Sequence, residues 1–172
     1  MNKLLTASLL IASLSFLFTS CGKYTSKYSF RWGHDGLIYN SNNDKLFTGT
    51  VLDTADVIIE FHVVNGIKNG AFTTYYLDGQ IEKSGYVINN ENIGKWKYYY
   101  PNGQIESEGS FEKSVPVGKW TSFYPSGNKR CEGIYRNGKQ ENIWNYYNDK
   151  GELINMVLYR DGKFIDLQER FA

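Results

Sequence analysis

A strictly regular repeat is the feature that most constrains this chain. Four successive copies of one 24-residue pattern open with a glycine or an asparagine, and an aromatic residue follows two positions later. The openings are Gly70, Gly94, Gly118 and Asn142, and the aromatic residues are Phe72, Trp96, Trp120 and Trp144. So strict a period is typical of one small supersecondary unit that is stacked several times. It constrains the architecture more tightly than the chemistry.

Two further positions repeat within each copy and predict how it folds. The ninth residue after each opening is Gly79, Gly103, Gly127 or Gly151, and the fifteenth is Gly85, Gly109, Gly133 or Val157. Asn-Gly between alternating runs is a strong hairpin signal, because both residues accept the positive φ of a type I′ turn. We therefore predict a two-residue loop at Asn102–Gly103, with equivalent loops at Asp78–Gly79 and Ser126–Gly127.

Counting outward from that loop predicts the register of each hairpin. In the copy at 94–117 the predicted pairs are Tyr100 with Ile105, Tyr99 with Glu106, Tyr98 with Ser107, Lys97 with Glu108 and Trp96 with Gly109. The last pair lets the indole lie over a residue that has no side chain. The same count sets Phe72 opposite Gly85, Trp120 opposite Gly133 and Trp144 opposite Val157, where a terminal copy is expected to be atypical.

The fold class that follows is all-β: consecutive antiparallel 24-residue hairpins that form one long, twisted and curled sheet. Asn137–Gly138 and Asp161–Gly162 mark a second turn, with Asn89–Asn92 and Val115–Val117 filling the same joint elsewhere. Asn65–Gly66 extends the pattern back to a degenerate repeat. Its strands are predicted at 47–51 and 57–61. The predicted repeat domain, 36–172, contains the degenerate repeat 46–69 and the copies 70–93, 94–117, 118–141 and 142–165.

The repeated unit resembles a known repeat family. The residues that carry the resemblance are Gly94-Lys95-Trp96-Lys97-Tyr98-Tyr99-Tyr100-Pro101-Asn102-Gly103 and Glu132-Gly133-Ile134-Tyr135-Arg136-Asn137-Gly138. The unit is similar to the MORN-repeat variant, which is also found in proteins labelled YwqK-family antitoxins. The resemblance covers about residues 36–164. It implies a sheet of consecutive hairpins, and it says little about function because the repeat is a scaffold with many uses.

The N-terminus predicts export. Lys3 precedes a run at 4–18 that is almost wholly apolar and shorter than the ~20 residues of a membrane span. Such a run is typical of a secretory signal, here 1–20. Phe18-Thr19-Ser20-Cys21-Gly22 resembles the lipobox of bacterial lipoproteins, which implies that Cys21 is acylated, as by palmitate. The alternative is an ordinary signal peptide with an incidental cysteine. Residues 21–35 are then a lipidated cysteine and tether.

The net charge of the mature chain and the residue after Cys21 bear on its partners and its location. Removing 1–20 leaves 18 basic and 18 acidic residues, so a basic surface for nucleic acid is not expected. Gly22, where an aspartate would favour retention at the inner membrane, resembles the outer-membrane sorting pattern. We expect a protein anchored to the outer membrane and facing the periplasm.

Nothing in the sequence indicates catalysis. His34 and His62 form no metal-binding spacing with Cys131, and no nucleophile elbow or phosphate-binding loop is present. Cys131 is either a small packed residue or a thiol that reacts or pairs between chains. We predict no enzyme activity, no metal and no cofactor.

Strand alternation separates two faces. The tryptophans lie on one face with Phe72, Tyr76, Tyr100, Tyr124 and the glycines Gly85, Gly109 and Gly133, and we assign this face to the core. The other face carries Tyr75, Tyr99, Phe123 and Tyr147, beside Glu82, Glu106 and Arg130. We call the first four the aromatic stripe. It is either a binding surface for a protein or glycan partner or a stabilising feature of the sheet.

The function predicted from these features is a non-enzymatic, membrane-anchored repeat lipoprotein of the bacterial cell envelope. It would act as a binding or scaffold module through its sheet surface. The alternative, implied by the family label, is an antitoxin-like protein that neutralises a partner toxin. The signal that ends at Cys21 disfavours the alternative, because an antitoxin normally meets its toxin in the cytoplasm.

Overall fold

The computed structural model describes residues 24–25, 30–53 and 58–165. Its strands are β1 (Tyr24–Thr25), β2 (Phe30–Trp32), β3 (Ile38–Asn40), β4 (Gly49–Asp53), β5 (Ile58–Val64), β6 (Ile67–Tyr75), β7 (Ile81–Ile88), β8 (Glu91–Tyr99), β9 (Ile105–Glu112), β10 (Val115–Phe123), β11 (Lys129–Arg136), β12 (Lys139–Tyr147), β13 (Leu153–Arg160) and β14 (Lys163–Phe164). No helix occurs among these residues, and the all-β prediction is confirmed.

One open sheet contains twelve of these strands. Their order is β1-β4-β5-β6-β7-β8-β9-β10-β11-β12-β13-β14, so from β4 onward each strand pairs with its neighbour in sequence. Only β1 runs parallel to its partner, β4. Strands β2 and β3 form a separate hairpin. Consecutive antiparallel pairing follows from the short turns, because a two- or three-residue connection can join only neighbouring antiparallel strands.

The turns at the repeated glycines differ from the prediction. The amide of Gly103 donates to the carbonyl of Tyr100, and the amide of Tyr100 donates to the carbonyl of Gln104, both at 2.8 Å. Gly103 has φ of 81°, whereas Asn102 keeps a negative φ. This is a three-residue loop with a type I turn and a left-handed glycine. The predicted two-residue type I′ loop at Asn102–Gly103 is wrong, because Pro101 fixes the φ that a type I turn requires at its first central position.

The type I′ turns lie at the other ends of the strands, opposite the three-residue loops. Both central residues have positive φ in five turns: Asn65–Gly66, Asn89–Asn90, Lys113–Ser114, Asn137–Gly138 and Asp161–Gly162. The strand pairs close directly around them, for example Glu112 with Val115. The turn predicted at Val115–Val117 is therefore two residues earlier, and those residues belong to β10.

The register agrees with the prediction away from the three-residue turns. Trp96 pairs with Gly109, Lys97 with Glu108 and Tyr98 with Ser107, but Tyr99 pairs with Ile105. The predicted pairs of Tyr99 with Glu106 and Tyr100 with Ile105 are wrong, because the longer loop leaves Glu106 as an extra bulge residue. Glu82, Arg130 and Ile154 are left unpaired in the same way.

A second bulge determines where each indole lies. Between hairpins, Ser84 pairs with Lys97 and Tyr86 with Ile93, so three residues of β8 lie opposite the single Gly85. A Cβ added at Gly85 would lie 2.2 Å from the ring of Trp96. Trp120 covers Gly109 and Trp144 covers Gly133 at similar distances. Each indole therefore covers the glycine of the preceding hairpin, and the prediction that it covers its own cross-strand partner is wrong.

These indoles form the packed face of the sheet. Trp96 and Trp144 are only 2% and 4% exposed. Their Nε1 groups donate to the carbonyls of Tyr86 and Ile134 at 3.2 and 3.3 Å, and that of Trp120 donates to Ser110 at 3.2 Å. Ring contacts with centroids 5.1–6.0 Å apart continue the ladder through Phe111 and Tyr135. Edge-to-face contacts of this kind stabilise the sheet beyond simple burial.

Tyrosines bridge successive hairpins beside the three-residue turns. The hydroxyl of Tyr100 donates to the carbonyl of Phe123, and that of Tyr124 donates to the carbonyl of Tyr147, both at 2.8 Å. The Tyr76 hydroxyl makes the equivalent bond to Tyr99. These hydrogen bonds link each hairpin to the next beside the three-residue turns, where the backbone hydrogen bonds between the strands end.

The first hairpins hold a small conventional core. It contains Phe30, Ile38, Phe47, Val51, Phe61 and Val63. The amide of Ile38 donates to the carbonyl of Gly66 at 2.9 Å, which fixes the β2–β3 hairpin to the first type I′ turn. Residues 30–35 were predicted to be tether, but Phe30 is 8% exposed within this core. The apolar pattern of the repeats did not extend to these residues, so the sequence placed them outside the domain.

Candidate functional site

The aromatic stripe lies on the face opposite the tryptophans. Tyr75, Tyr99, Phe123 and Tyr147 are the last residues of β6, β8, β10 and β12 and are half-buried. Successive members occupy every second strand, so they repeat at about 9.4–9.8 Å, twice the spacing between strands.

The bulges add aliphatic partners to this stripe. Tyr75 pairs with Ile58 and Ile81, and Tyr99 pairs with Ile105. Phe123 pairs with Lys129 and Tyr147 with Leu153. We call these nine residues the apolar row: Ile58, Tyr75, Ile81, Tyr99, Ile105, Phe123, Lys129, Tyr147 and Leu153. Ile81 and Leu153 are 41% and 51% exposed, so part of the row is open to solvent.

A polar row runs beside the apolar row on the same face. Its members are consecutive cross-strand partners: Glu60, Thr73, Ser84, Lys97, Glu108, Thr121, Glu132 and Asn145. Each member on β6, β8, β10 and β12 precedes an aromatic residue of the stripe by two positions, which places both on one face. The predicted position of Glu106 directly opposite Tyr99 is taken by Ile105, and the glutamates of the polar row lie deeper in the sheet.

Tyrosine hydroxyls connect the two rows. The Tyr75 hydroxyl donates to Glu60 Oε2 at 3.1 Å, and three repeats later the Tyr147 hydroxyl donates to Glu132 Oε1 at 2.9 Å. The repeat equivalents of these acceptors are Ser84 and Glu108. The polar row therefore fixes the orientation of Tyr75 and Tyr147, the two ends of the stripe.

Glu132 is the most strongly held charge on this face. Its carboxylate is 2.8 Å from the Nζ atoms of both Lys119 and Lys129, and its side chain is 15% exposed. Hydrogen bonds from Lys119, Lys129 and Tyr147 lower the pKa of Glu132 to about 2. Lys129 also lies 5.4 Å from the centroid of the Tyr147 ring. These two cations and one carboxylate form a stabilising network on this face of the sheet.

A groove opens near the type I′ turns. It is an open groove of about 930 Å³ between β8, β9 and β10, lined in part by Ile93, Phe111 and Val117. Phe111 belongs to the tryptophan ladder. The lining is largely apolar, with Glu112 and Lys113 among its polar members.

The remaining predicted residues give no further site. Cys131 is half-buried and pairs in register with Ser122 and Tyr146. His62 Nε2 is 3.2 Å from Thr50 Oγ1. Within 30–53 and 58–165, no group of three His, Cys, Asp or Glu side chains could hold a metal ion. The predicted lipidation residue Cys21 and the signal at 1–20 lie outside the described residues. No helix long and apolar enough to cross a membrane is found in the described part of the chain.

Sequence reasoning missed the aliphatic half of the apolar row. The signal was present: two residues after each turn glycine come Ile81, Ile105, Lys129 and Leu153. Assigning a two-residue loop displaced these positions by one. Glu82, Glu106 and Arg130 were then predicted to lie beside the stripe, which was interpreted as an aromatic row bordered by charges.

Comparison with known families matches the hairpins one by one. Residues 68–89, 93–113 and 116–137 each match the family model described as MORN repeat variant. These three segments are similar to MORN repeats. The three matches coincide with the hairpins β6–β7, β8–β9 and β10–β11, whereas β4–β5 and β12–β13 lie outside them. MORN repeats are a non-catalytic repeat type and generally serve as binding or scaffold modules. No curated protein matches the chain.

Proposed function

We propose that this MORN-repeat chain is a lipid-anchored binding or scaffold protein of the bacterial cell envelope, held by Cys21 and contacting its partner through the apolar row. The observation that carries the proposal is the row itself. It is a half-exposed line of aromatic and aliphatic residues, interrupted at Lys129, on the face opposite the packed tryptophans.

The packing of the sheet supports this role for the row. Apart from the β2–β3 hairpin, the strands with substantial contacts in the described residues are neighbours in one layer. On the tryptophan face, Trp96 and Trp144 are almost fully buried. The opposite face keeps apolar side chains at the surface, which is typical of an interaction site.

Cross-linking followed by pull-down from intact membranes tests the binding role. The paired variant Tyr99→Ala and Phe123→Ala is expected to lose the partner while its thermal unfolding stays cooperative. Tyr86→Ala is the matched control, because Tyr86 is an exposed tyrosine outside the row. A partner that remains bound to the paired variant and to wild type alike would exclude the row as the binding surface.

The anchor is tested separately. Cys21→Ala is expected to release the protein from the membrane fraction, and globomycin is expected to block its processing. A cytoplasmic product without processing would contradict the envelope location. If the recovered partner is an exported toxin, and the chain without residues 1–20 rescues cells from it, the antitoxin-like role implied by the resemblance is correct.

A further inference from the structure

The apolar row has the length and step of an extended polymer. It crosses nine strands, β5 to β13, and so spans about 38 Å at 4.7–4.9 Å per strand. Aromatic and other side chains alternate along it, one per strand. An extended β-1,4-linked polysaccharide advances by nearly one strand spacing per sugar and flips alternate sugars. It therefore presents the same ring face once per disaccharide, which is close to the two-strand step of the aromatic stripe.

Polar side chains border the row on both sides at the same step. On the inner side the polar row offers Glu60, Ser84, Glu108 and Glu132, one in each repeat. On the outer side each of the four three-residue turns carries a polar side chain, at Asp78, Asn102, Ser126 and Lys150. A pyranose has apolar C–H faces and hydroxyls around its rim. An apolar line with hydrogen-bonding groups along both borders suits that shape.

The charges beside the row favour an uncharged polymer. Glu60, Glu108 and Glu132 are balanced by Lys97, Lys119 and Lys129, and Glu132 is in direct ion pairs with Lys119 and Lys129. The bulge residues Glu82, Glu106 and Arg130 beside the row also carry both signs. A strongly anionic or cationic ligand would therefore meet like charges as well as opposite ones, whereas a neutral ligand would not be repelled.

We infer that the apolar row binds a neutral β-1,4-linked polysaccharide strand, laid across the strands with about one sugar per strand and stacked on Tyr75, Tyr99 and Phe123. This inference rests on the proposed function and names the chemistry of its partner. An extended line of stacking rings favours a polymer over a single sugar, because each ring adds its own small contribution.

Calorimetric titration of the membrane-purified protein with defined oligosaccharides tests the inference. The probes are cellohexaose and chitohexaose, with cellobiose as the short ligand and maltohexaose as the α-linked control. The hexasaccharides of β-1,4 linkage are expected to bind about tenfold or more tightly than cellobiose. Maltohexaose is expected not to bind, because its helical chain cannot follow the straight line of aromatic side chains.

Two paired variants separate ring stacking from folding. Tyr99→Ala with Phe123→Ala removes both side chains, whereas Tyr99→Leu with Phe123→Leu keeps apolar bulk beside Ile105 and removes only the rings. Both pairs are expected to weaken hexasaccharide binding by about tenfold or more, as removal of central contacts does. The control Tyr86→Ala is expected to bind as wild type does.

The outcomes distinguish this inference from the proposed function. Absence of binding to both β-1,4 hexasaccharides, equal binding of maltohexaose, or unchanged binding in the leucine pair would each overturn the glycan inference. If the glycans fail while the leucine pair loses a cross-linked protein partner, the binding role of the row stands and its ligand is a protein. If neither ligand depends on the row, both ideas are wrong.

Discussion

Glycines of the repeat are required for two different physical reasons. Gly85, Gly109 and Gly133 are required for space, because an indole lies where a Cβ would be. Gly94 and Gly118 have φ of 61° and 67°, and no atom lies within 4 Å of a Cβ added there. Asn142 adopts the same conformation at φ 62° in the fourth copy, which an asparagine tolerates better than most residues.

Gly109→Ala is therefore expected to be much more damaging than Gly94→Asn. The alanine Cβ would lie 2.1 Å from the ring of Trp120 and would force the indole away from Gly109. We expect a loss of about 2–3 kcal/mol in the free energy of unfolding, the scale of an overpacked site. Gly94→Asn, the control, should change it by less than about 0.5 kcal/mol. Urea unfolding measures both, and equal effects would contradict the packing rule.

Glu132 should make stability depend on pH. Hydrogen bonds from Lys119 and Lys129 lower its pKa to about 2 in the folded protein from the ordinary 4.5. Because the unfolded chain binds the proton more readily, the stabilisation is complete above pH 4.5 and is lost as pH falls towards 2. Glu132→Gln should lower the free energy of unfolding at pH 7 by about 1–2 kcal/mol, after allowance for solvent screening.

The measurement for this prediction is urea unfolding at pH 7 and at pH 3. Wild type should lose more stability between these values than Glu132→Gln does. Glu112→Gln, an exposed residue of β9, is the control and should lose as much as wild type. Parallel losses in all three proteins would show that the network contributes nothing measurable.

At the scale of the elements, the turns at one end of the strands differ in type from the turns at the other end. The three-residue loops need one left-handed residue, which is always glycine: Gly79, Gly103, Gly127 and Gly151. The type I′ loops need two. Asn65–Gly66 and Asn137–Gly138 satisfy this with favourable residues, whereas Lys113 and Ser114 adopt φ of 49° and 64° at a cost.

Lys113→Asn is expected to stabilise the protein. Asparagine accepts positive φ more readily than lysine, so we expect the free energy of unfolding to rise by about 0.5–1 kcal/mol. The matched control is Lys139→Asn, which removes the same charge from the start of β12 and places asparagine in a strand, where it is disfavoured. Thermal unfolding compares the two, and a neutral or lower midpoint for Lys113→Asn would contradict the assigned turn.

Register shows how far sequence reasoning extends within an element. Pairing of Trp96 with Gly109 follows from the repeat, since three copies give the same answer. Pairing of Tyr99 with Ile105 does not, because Asn-Gly is compatible with a two-residue and a three-residue loop. Proline at the first central position favours the three-residue loop, and two other copies form the same loop without a proline. The one-residue difference replaces a glutamate with an isoleucine as the partner of Tyr75 and of Tyr99.

At the scale of the whole molecule, the packing of each repeat depends on the repeat that follows it. Each glycine accommodates the indole of the following hairpin, so a copy is complete only when the next is present. The last glycine position holds Val157, and one repeat step after Trp144 the sequence has Gln168. With no further tryptophan to accommodate, the last hairpin needs no glycine. At the other end Phe61 fills the glycine position, and Phe72 packs on it with ring centroids 6.2 Å apart.

Insertion of a repeat tests this dependence. A second copy of residues 94–117 placed after Val117 should fold and widen the sheet by two strands, with a free energy of unfolding at or above that of the parent. The control insertion carries valine at the inserted counterpart of Gly109. Trp120 could not lie on that valine, so stability should fall by about 1–3 kcal/mol relative to the first insertion. Equal stability of the two insertions would exclude packing between hairpins as the source of cohesion.

The sequence by itself determined the repeat, the all-β class and most of the register, because a short, strict period with glycine turns permits few other folds. Only the tertiary structure decided which glycine each indole covers and at which ends of the strands the type I′ turns lie. It also showed that an apolar row lies opposite the tryptophans. These depend on bulges that shift residues by one or two positions between strands, and a sequence period is unchanged by such shifts.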